Sequence, residues 1–387
     1  MTAKATGKRI KCSVNSEKPY WAFVPDRLPP VSLNIENLHK ALDKANQALG
    51  RLDGMSSLLP EPEIFLYMYV RLEAVLSSQI EGTQSSLSDL LLYESEQSPG
   101  TPLHDVEEVS NYVRAMNYGL EKLENGKPFS MRLIREMHEI LMEGMRGGTK
   151  SPGSFRRTQN WVGGTQPSNA SFVPPPPDIV TECMSDLEKF LHEDKSNMPL
   201  LVKAALIHHQ FETIRPFLDG NGRLGRLLIT LILCSHGVLS QPILYLSLYF
   251  KTYRNDYYAH LQKVRDSGDW EPWLEFFLAG VHKSATQATK TASGILMLMN
   301  TDRDKIKTLG RSTGTVLQIH HFLEKKPFAT IPLLVKSLGL STPTVTAGLH
   351  HLEELGIVRE TTGKPRDRVY VYAEYLKKLL ESATFDS

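Results

Sequence analysis

Apolar residues recur at three- and four-residue spacing along most of this chain. In IENLHKALDKANQALGRL, EIFLYMYVRLEAVLSSQI, DVEEVSNYVRAMNYGLEKL and MRLIREMHEILMEGM, polar faces separate the apolar stripes, which predicts amphipathic helices packed into an all-α body. TECMSDLEKFLH, LVKAALIHHQFETI, GRLLITLILCSHG and RNDYYAHLQKVRDSG read the same way. Two stretches break the pattern. Near the start, KPYWAFVPDRLPPV is Pro-rich and aromatic and predicts extended chain laid on the body. From Arg146 to Val180 the chain is rich in Gly, Pro, Ser and Thr. A connection that long inside a compact domain is usually functional or disordered.

From about Asn300 the charged stretch NTDRDKIKTLGRSTG predicts a connector into a second domain. There TGTVLQIHHFLEK is amphipathic, ATIPLLVKSLG and TPTVTAGLHHLEELG form a helix-turn-helix pattern, and GIVRETTGKPRDRVYVYAEYL reads as a hairpin with a basic tip. The unit resembles a winged helix-turn-helix. Its candidate recognition helix carries Glu353 and Glu354, so Lys364, Arg366 and Arg368 on the wing are better placed to meet phosphates. DNA, a protein partner and packing in a homodimer stay open for this unit.

At 387 residues the length fits two or three domains with a sizeable core. Lys+Arg 44 against Asp+Glu 43 gives a net charge of +1, so any basic site must be local. Cys12, Cys183 and Cys234 are widely spaced without a CxxC pair, which argues against a disulfide framework and a cysteine zinc site. The basic N-terminus has no apolar run after it, and LLITLILC is too short to span a bilayer. These features predict a cytoplasmic protein.

The chemistry concentrates in IRPFLDGNGRLGRLL, residues 214 to 228. GNGRLG matches a dinucleotide-binding pattern literally, but that pattern needs a preceding strand and an acidic residue about twenty positions on. Here a helical segment precedes, and no acidic residue lies between Asp219 and Asp256. Gly220 and Gly222 can adopt backbone angles that let successive N–H groups converge on an anion. The helix that follows adds its N-terminal amides and partial positive charge. Arg223 and Arg226, three apart, share one face, and Asp219 suits Mg²⁺ held jointly with phosphate oxygens. The plain alternative is a capped turn with arginines in surface pairs.

The longer string HHQFETIRPFLDGNGRLGR closely resembles the signature of the Fic family, HPFx[DE]GNGRxxR, at every fixed position from Pro216 through Arg226. FRRTQNWVGG and ASFVPPPP resemble the family's flap, and RNDYYAHL its adenine-side segment. The resemblance implies a mainly α protein, with a Fic-type helical core, an N-terminal helical extension, a short β flap and a C-terminal winged helix-turn-helix. The expected division is 1–124, 125–300 and 301–387. It further implies transfer of AMP from ATP, with Mg²⁺, to a hydroxyl of a target protein or of the chain itself. Asp219 would hold the metal, and Gly220, Asn221, Gly222, Arg223, Leu224, Gly225 and Arg226 would surround the phosphates. Phe217 would anchor the loop from beneath. Tyr257 and Tyr258 would lie near the adenine, although an adjacent Tyr pair on a helix is equally well plain packing. Ser171, Phe172 and Val173 would pair with the target's backbone.

One position departs from the family. Its general-base histidine is Arg215 here, and arginine stays protonated. Loss of general-base catalysis costs roughly 10²–10⁴ in rate, so nucleotide binding would persist with AMP transfer reduced. His208 and His209 lie about two helical turns upstream and read as core positions. In SSQIEGT, Ser77 and Glu81 share a helix face and Gly82 is placed to end the helix. Glu81 alone reads as a solvated carboxylate. By resemblance to the family's inhibitory pattern [ST]xxxE[GN] it would pair with Arg226 and deny it to ATP. A nucleotide-binding regulator without catalysis, acting through the winged helix, is the competing expectation.

Overall fold

The computed structural model describes residues 6–13, 18–31, 33–58, 62–94, 100–144, 151–193, 198–363 and 368–385. The N-terminal segment forms an antiparallel hairpin, β1 (Gly7–Cys12) and β2 (Tyr20–Pro25), rather than plain extended chain. It buries Tyr20, Ala22, Phe23 and Val24. The helices follow: α1 (His39–Leu58), α2 (Pro62–Ile80), α3 (Leu87–Glu94), α4 (Leu103–Glu124), α5 (Met131–Leu141) and α6 (Val180–His192). After them come α7 (Leu200–Ile214), α8 (Asn221–Ser235), α9 (Ser247–Thr252), α10 (Arg254–Ser267) and α11 (Trp270–Lys307). The mainly helical expectation holds. The short α3 and α9 were not foreseen, because neither is long enough to show helical periodicity.

α7 and α8 form the centre. Every residue of α7 from Leu201 to Ile214 is buried, including the polar Lys203, His208, His209, Gln210, Glu212 and Thr213. Gly225 lets α8 approach it closely: a methyl there would meet Glu212 Oε1 at 2.7 Å and Phe211 Cδ1 at 3.1 Å. α6 packs on α7, α4 on α5 and α8, and α1 along α11. α2 lies between α4 and α9 and also reaches the C-terminal unit.

The sequence-based boundary at 300 cuts α11, which continues through the charged stretch with Met299, Asp302 and Ile306 buried. A continuous helix, rather than a loose connector, joins the two units. The C-terminal unit runs α12 (Thr313–Lys325), β3 (Phe328–Thr330), α13 (Ile331–Leu338), α14 (Thr342–Glu354), β4 (Val358–Glu360), β5 (Val369–Tyr372) and α15 (Ala373–Glu381). Its strands are antiparallel in the order β3-β5-β4, so a third strand joins the expected hairpin. Tyr372 donates to Asp302 (2.8 Å) and Arg303 pairs with Glu324 (2.8 Å), tying the unit to the end of α11. Lys364 and Arg366 lie outside the described residues.

Candidate active site

Helix α7 stops at Ile214 because Pro216 disfavours right-handed helical angles at the residue before it. Arg215 turns left-handed instead, at φ 44° and ψ 65°. The loop is then stapled from within: Phe217 N–H donates to Asn221 Oδ1 (2.9 Å), and the Asn221 amide donates back to the Phe217 carbonyl (2.8 Å). Phe217 is buried and stacks on His138 of α5, with ring centroids 3.7 Å apart.

His138 supports the metal-ligand candidate from behind. Gly153 N–H donates to its Nδ1 (3.0 Å), so the ring proton sits on Nε2, which donates to the Asp219 carbonyl (3.1 Å). Burial pushes the imidazole down to about 4, keeping it neutral. Asp219 Oδ1 accepts from Gly220 N–H (2.7 Å). Gly220 has φ 72°, and a side chain there would meet Met142 Sδ at 2.8 Å. Among the described residues no group of three or more His, Cys, Asp or Glu could form a metal cage. One carboxylate beside an anion cradle fits Mg²⁺ bound jointly with phosphates.

α8 begins inside the glycine loop, so Gly222, Arg223, Gly225 and Arg226 are already helical. Arg223 donates to Glu108 of α4 (3.0 Å), whereas Arg226 turns to α2. There Arg226 Nε donates to the Ser77 hydroxyl (2.9 Å), and Nη2 donates to the Ser77 carbonyl (3.0 Å) and to Glu81 Oε1 (2.7 Å). The Arg226 side chain is 1% exposed and Glu81 36%. A methyl on Gly222 would overlap Glu81 Oε1, so the carboxylate sits directly on the helix start. Burial pushes Glu81 up, but Arg226, with Arg215 and Arg223, outweighs it and holds the carboxyl below its usual range. Gly82, at φ 103°, ends the helix.

Arg215 points a guanidinium nitrogen at Glu212 Oε2, 3.5 Å away. Glu212 is buried, and desolvation raises its carboxyl despite Arg215 and Arg226. His208 is a core residue: Nδ1 meets the Gly225 carbonyl (3.0 Å) and Nε2 the Tyr257 hydroxyl (2.8 Å), and burial pushes it down to about 3. His209 is also buried, with Nε2 on the Leu261 carbonyl (3.1 Å). Of the tyrosine pair, Tyr257 is fully buried on His208 and presents no open surface to a ligand, while Tyr258 is 36% exposed.

The flap differs from expectation. Val162 and Phe172 form an antiparallel bridge, Ser171 and Phe172 N–H both donate to the Val162 carbonyl, and the Val173 carbonyl accepts from Phe23 of β2 (2.9 Å). Most backbone groups of Ser171–Val173 are therefore used inside the chain. Val162 uses both its N–H and its carbonyl on the Ser171–Phe172 side, and the extended pairing ends there because Gly163 turns left-handed at φ 67°. Trp161 and Val162 are themselves exposed.

Several site residues were not singled out from the sequence. Arg156 and Asn160 brace the loop, Glu108 holds Arg223, and His138 backs Asp219. Arg265 donates to Thr213 Oγ1 (3.0 Å) and the Glu212 carbonyl (3.2 Å), and its guanidinium lies 4.0 Å from the Phe172 ring centre. Only the FRRTQN string hinted at any of them.

The fold and this loop define a helical protein whose glycine loop opens helix α8 and meets a carboxylate from a neighbouring helix. Residues 39–121 match the Fic/DOC family N-terminal region and residues 128–233 the Fic/DOC family itself. The chain belongs to the Fic family. It is 30% identical over 242 residues to the protein adenylyltransferase Fic of Culex quinquefasciatus, covering 61% of this chain and 44% of that protein. It is 31% identical over 243 residues to the protein adenylyltransferase fic-1 of Caenorhabditis briggsae, covering 59% and 43%. The chain thus spans less than half the length of these relatives. Its fold is similar to a Fic family protein from Desulfovibrio desulfuricans G20, at TM-score 0.58 and 22% identity, covering 89% of this chain and 98% of that one. It is also similar to Fic-1 from C. elegans, at TM-score 0.50 and 24% identity, covering 68% and 75%. No helix among the described residues is long and apolar enough to cross a membrane.

Proposed function

We propose that this chain is a Fic-type protein adenylyltransferase, restrained by Glu81 and slowed by Arg215. The observation that carries the reading is the Glu81 carboxylate on Arg226 and Gly222, an anion already seated where an anionic substrate would bind. With Glu81 displaced, Arg226 is free for the terminal phosphate of ATP and the amides at the start of α8 for the phosphates before it. Asp219 would hold Mg²⁺, which neutralises phosphate charge when bound. A serine, threonine or tyrosine hydroxyl of the target, or of this chain, attacks the α-phosphorus. Its oxygen gains the AMP group and pyrophosphate leaves.

The hydroxyl proton needs an acceptor, and Arg215 has none to offer. The test is incorporation from α-labelled ATP into protein by this chain and by Arg215→His. A large rise in the variant supports the reading, and equal labelling in both overturns it.

A second reading has its own observation. The C-terminal unit runs helix, strand, two helices, two strands and a helix, which supports a winged-helix reading, and α14 with its N-cap exposes Ser341, Thr342, Thr344, Thr346 and His350. In that reading the chain binds nucleotide without transfer and acts on DNA or a protein partner through this unit. A salt-dependent mobility shift with duplex DNA, together with no labelling by Arg215→His, would favour it.

A further inference from the structure

We infer that Arg156 is a positioning residue: it holds position 215 in its left-handed conformation and so fixes the direction in which its side chain leaves the loop. Its catalytic consequence rests on the transferase reading above, while its structural content does not.

A helix end leaves carbonyls unsatisfied, and the usual closure takes them back with N–H groups from just beyond the end. At α7 that closure is incomplete by sequence. Arg215 N–H reaches the Phe211 carbonyl (2.9 Å), but Pro216 has no N–H to give. A left-handed residue other than glycine is also strained, because its Cβ crowds the following carbonyl. Something outside the helix must stabilise the turn.

Arg156 supplies it. Its Nε donates to the Arg215 carbonyl (2.9 Å), and Nη2 donates to the Ile214 (3.4 Å) and Pro175 carbonyls. Its backbone N–H donates to the Pro216 carbonyl (2.9 Å). Three successive carbonyls, 214 to 216, are thus satisfied by one residue. Asn160 continues the splint, donating to the Phe217 carbonyl (2.9 Å). The guanidinium is buried, and desolvation lowers it to about 10, so it remains charged against the negative end of α7. Its planar fork reaches several acceptors at once, which a lysine ammonium on a flexible stem does less well.

The test uses Arg156→Gln and Arg156→Lys in the full chain, as it stands and combined with Arg215→His. Amide exchange is followed by mass spectrometry across 213–222 and across α5 and α6. We expect exchange in 213–222 to accelerate about tenfold or more in Arg156→Gln, less in Arg156→Lys, with α5 and α6 unchanged. In the Arg215→His background kcat should fall about 10–100-fold, with the KM for ATP within about twofold. Exchange that is unchanged, or that rises equally in all three regions, overturns the inference, as does a raised KM with kcat intact. If Arg215→His alone transfers no AMP, the transferase reading fails, and the exchange result still decides the role of Arg156. If Arg156→Gln does not fold, the same criteria apply to Arg156→Lys.

Discussion

Replacing Glu81 by glycine removes the carboxylate 2.7 Å from Arg226 Nη2 and clears the start of α8. A hydrogen bond between charged groups contributes roughly 1.5–3 kcal/mol. Because Glu81 keeps 36% of its side chain exposed, water offsets part of that, leaving about 1–2 kcal/mol that ATP must overcome to take Arg226. Glu81→Gly should therefore bind ATP with Mg²⁺ about 5–30-fold more tightly by titration calorimetry. In the Arg215→His background it should also raise auto-modification. Since Glu81 is held below its usual range, the latch is complete above about pH 4–5 and is lost only as pH falls through its depressed value. The gain in affinity should thus be constant between about pH 6 and 8. An affinity unchanged within about twofold, or one that rises as much when Arg226 is already alanine, would refute the reasoning.

Three further outcomes are expected. Glu73 is buried on the helix face that carries Ser77 and Glu81, with Ser247 N–H donating to Oε2 (3.1 Å), and desolvation raises it to about 7. A carboxyl raised above its unfolded value contributes stability that is lost as pH rises from its unfolded value to about 7, opposite in sign to the contribution of the buried His138 and His208, so the urea midpoint relative to that of Glu73→Gln should fall across that range and level off above it. Gly225→Ala should destabilise by about 1–3 kcal/mol in urea melts, because its methyl meets Glu212 and Phe211 between two packed helices. Ser77→Ala leaves Arg226 Nε without its acceptor in a buried site and should cost about 1–3 kcal/mol by the same measurement.

Much of this was legible in the residues themselves. Long periodic segments such as that of α4 announced their helices, whereas Arg223 and Arg226, expected to share one anion, turn to Glu108 and to α2. Glu81 does meet Arg226, a contact across 145 residues that no local pattern could show; only the resemblance supplied it, and the Ser77 contact beside it was not foreseen. What escaped has a physical reason. α11 runs through a stretch that looked like a connector because its charges dominate the composition, while the buried Met299, Asp302 and Ile306 are only three positions. The flap was read from the resemblance of FRRTQNWVGG and ASFVPPPP, which shows neither the bridge of Val162 with Phe172 nor the pairing of Val173 with β2, chain brought in from the N-terminus. Arg156 and His138 work on backbone carbonyls, and a carbonyl leaves no trace in a sequence.

Helix α11 spans 38 residues without interruption. At a rise of about 1.5 Å per residue it is a rod of about 57 Å. It does not hold the C-terminal unit away from the body: α15 packs back along it, α12 reaches α2, and Phe385 meets Tyr249 of α9 with ring centroids 6.2 Å apart. The C-terminal unit and Glu81, the residue that meets Arg226, are thus joined through one helix, α2.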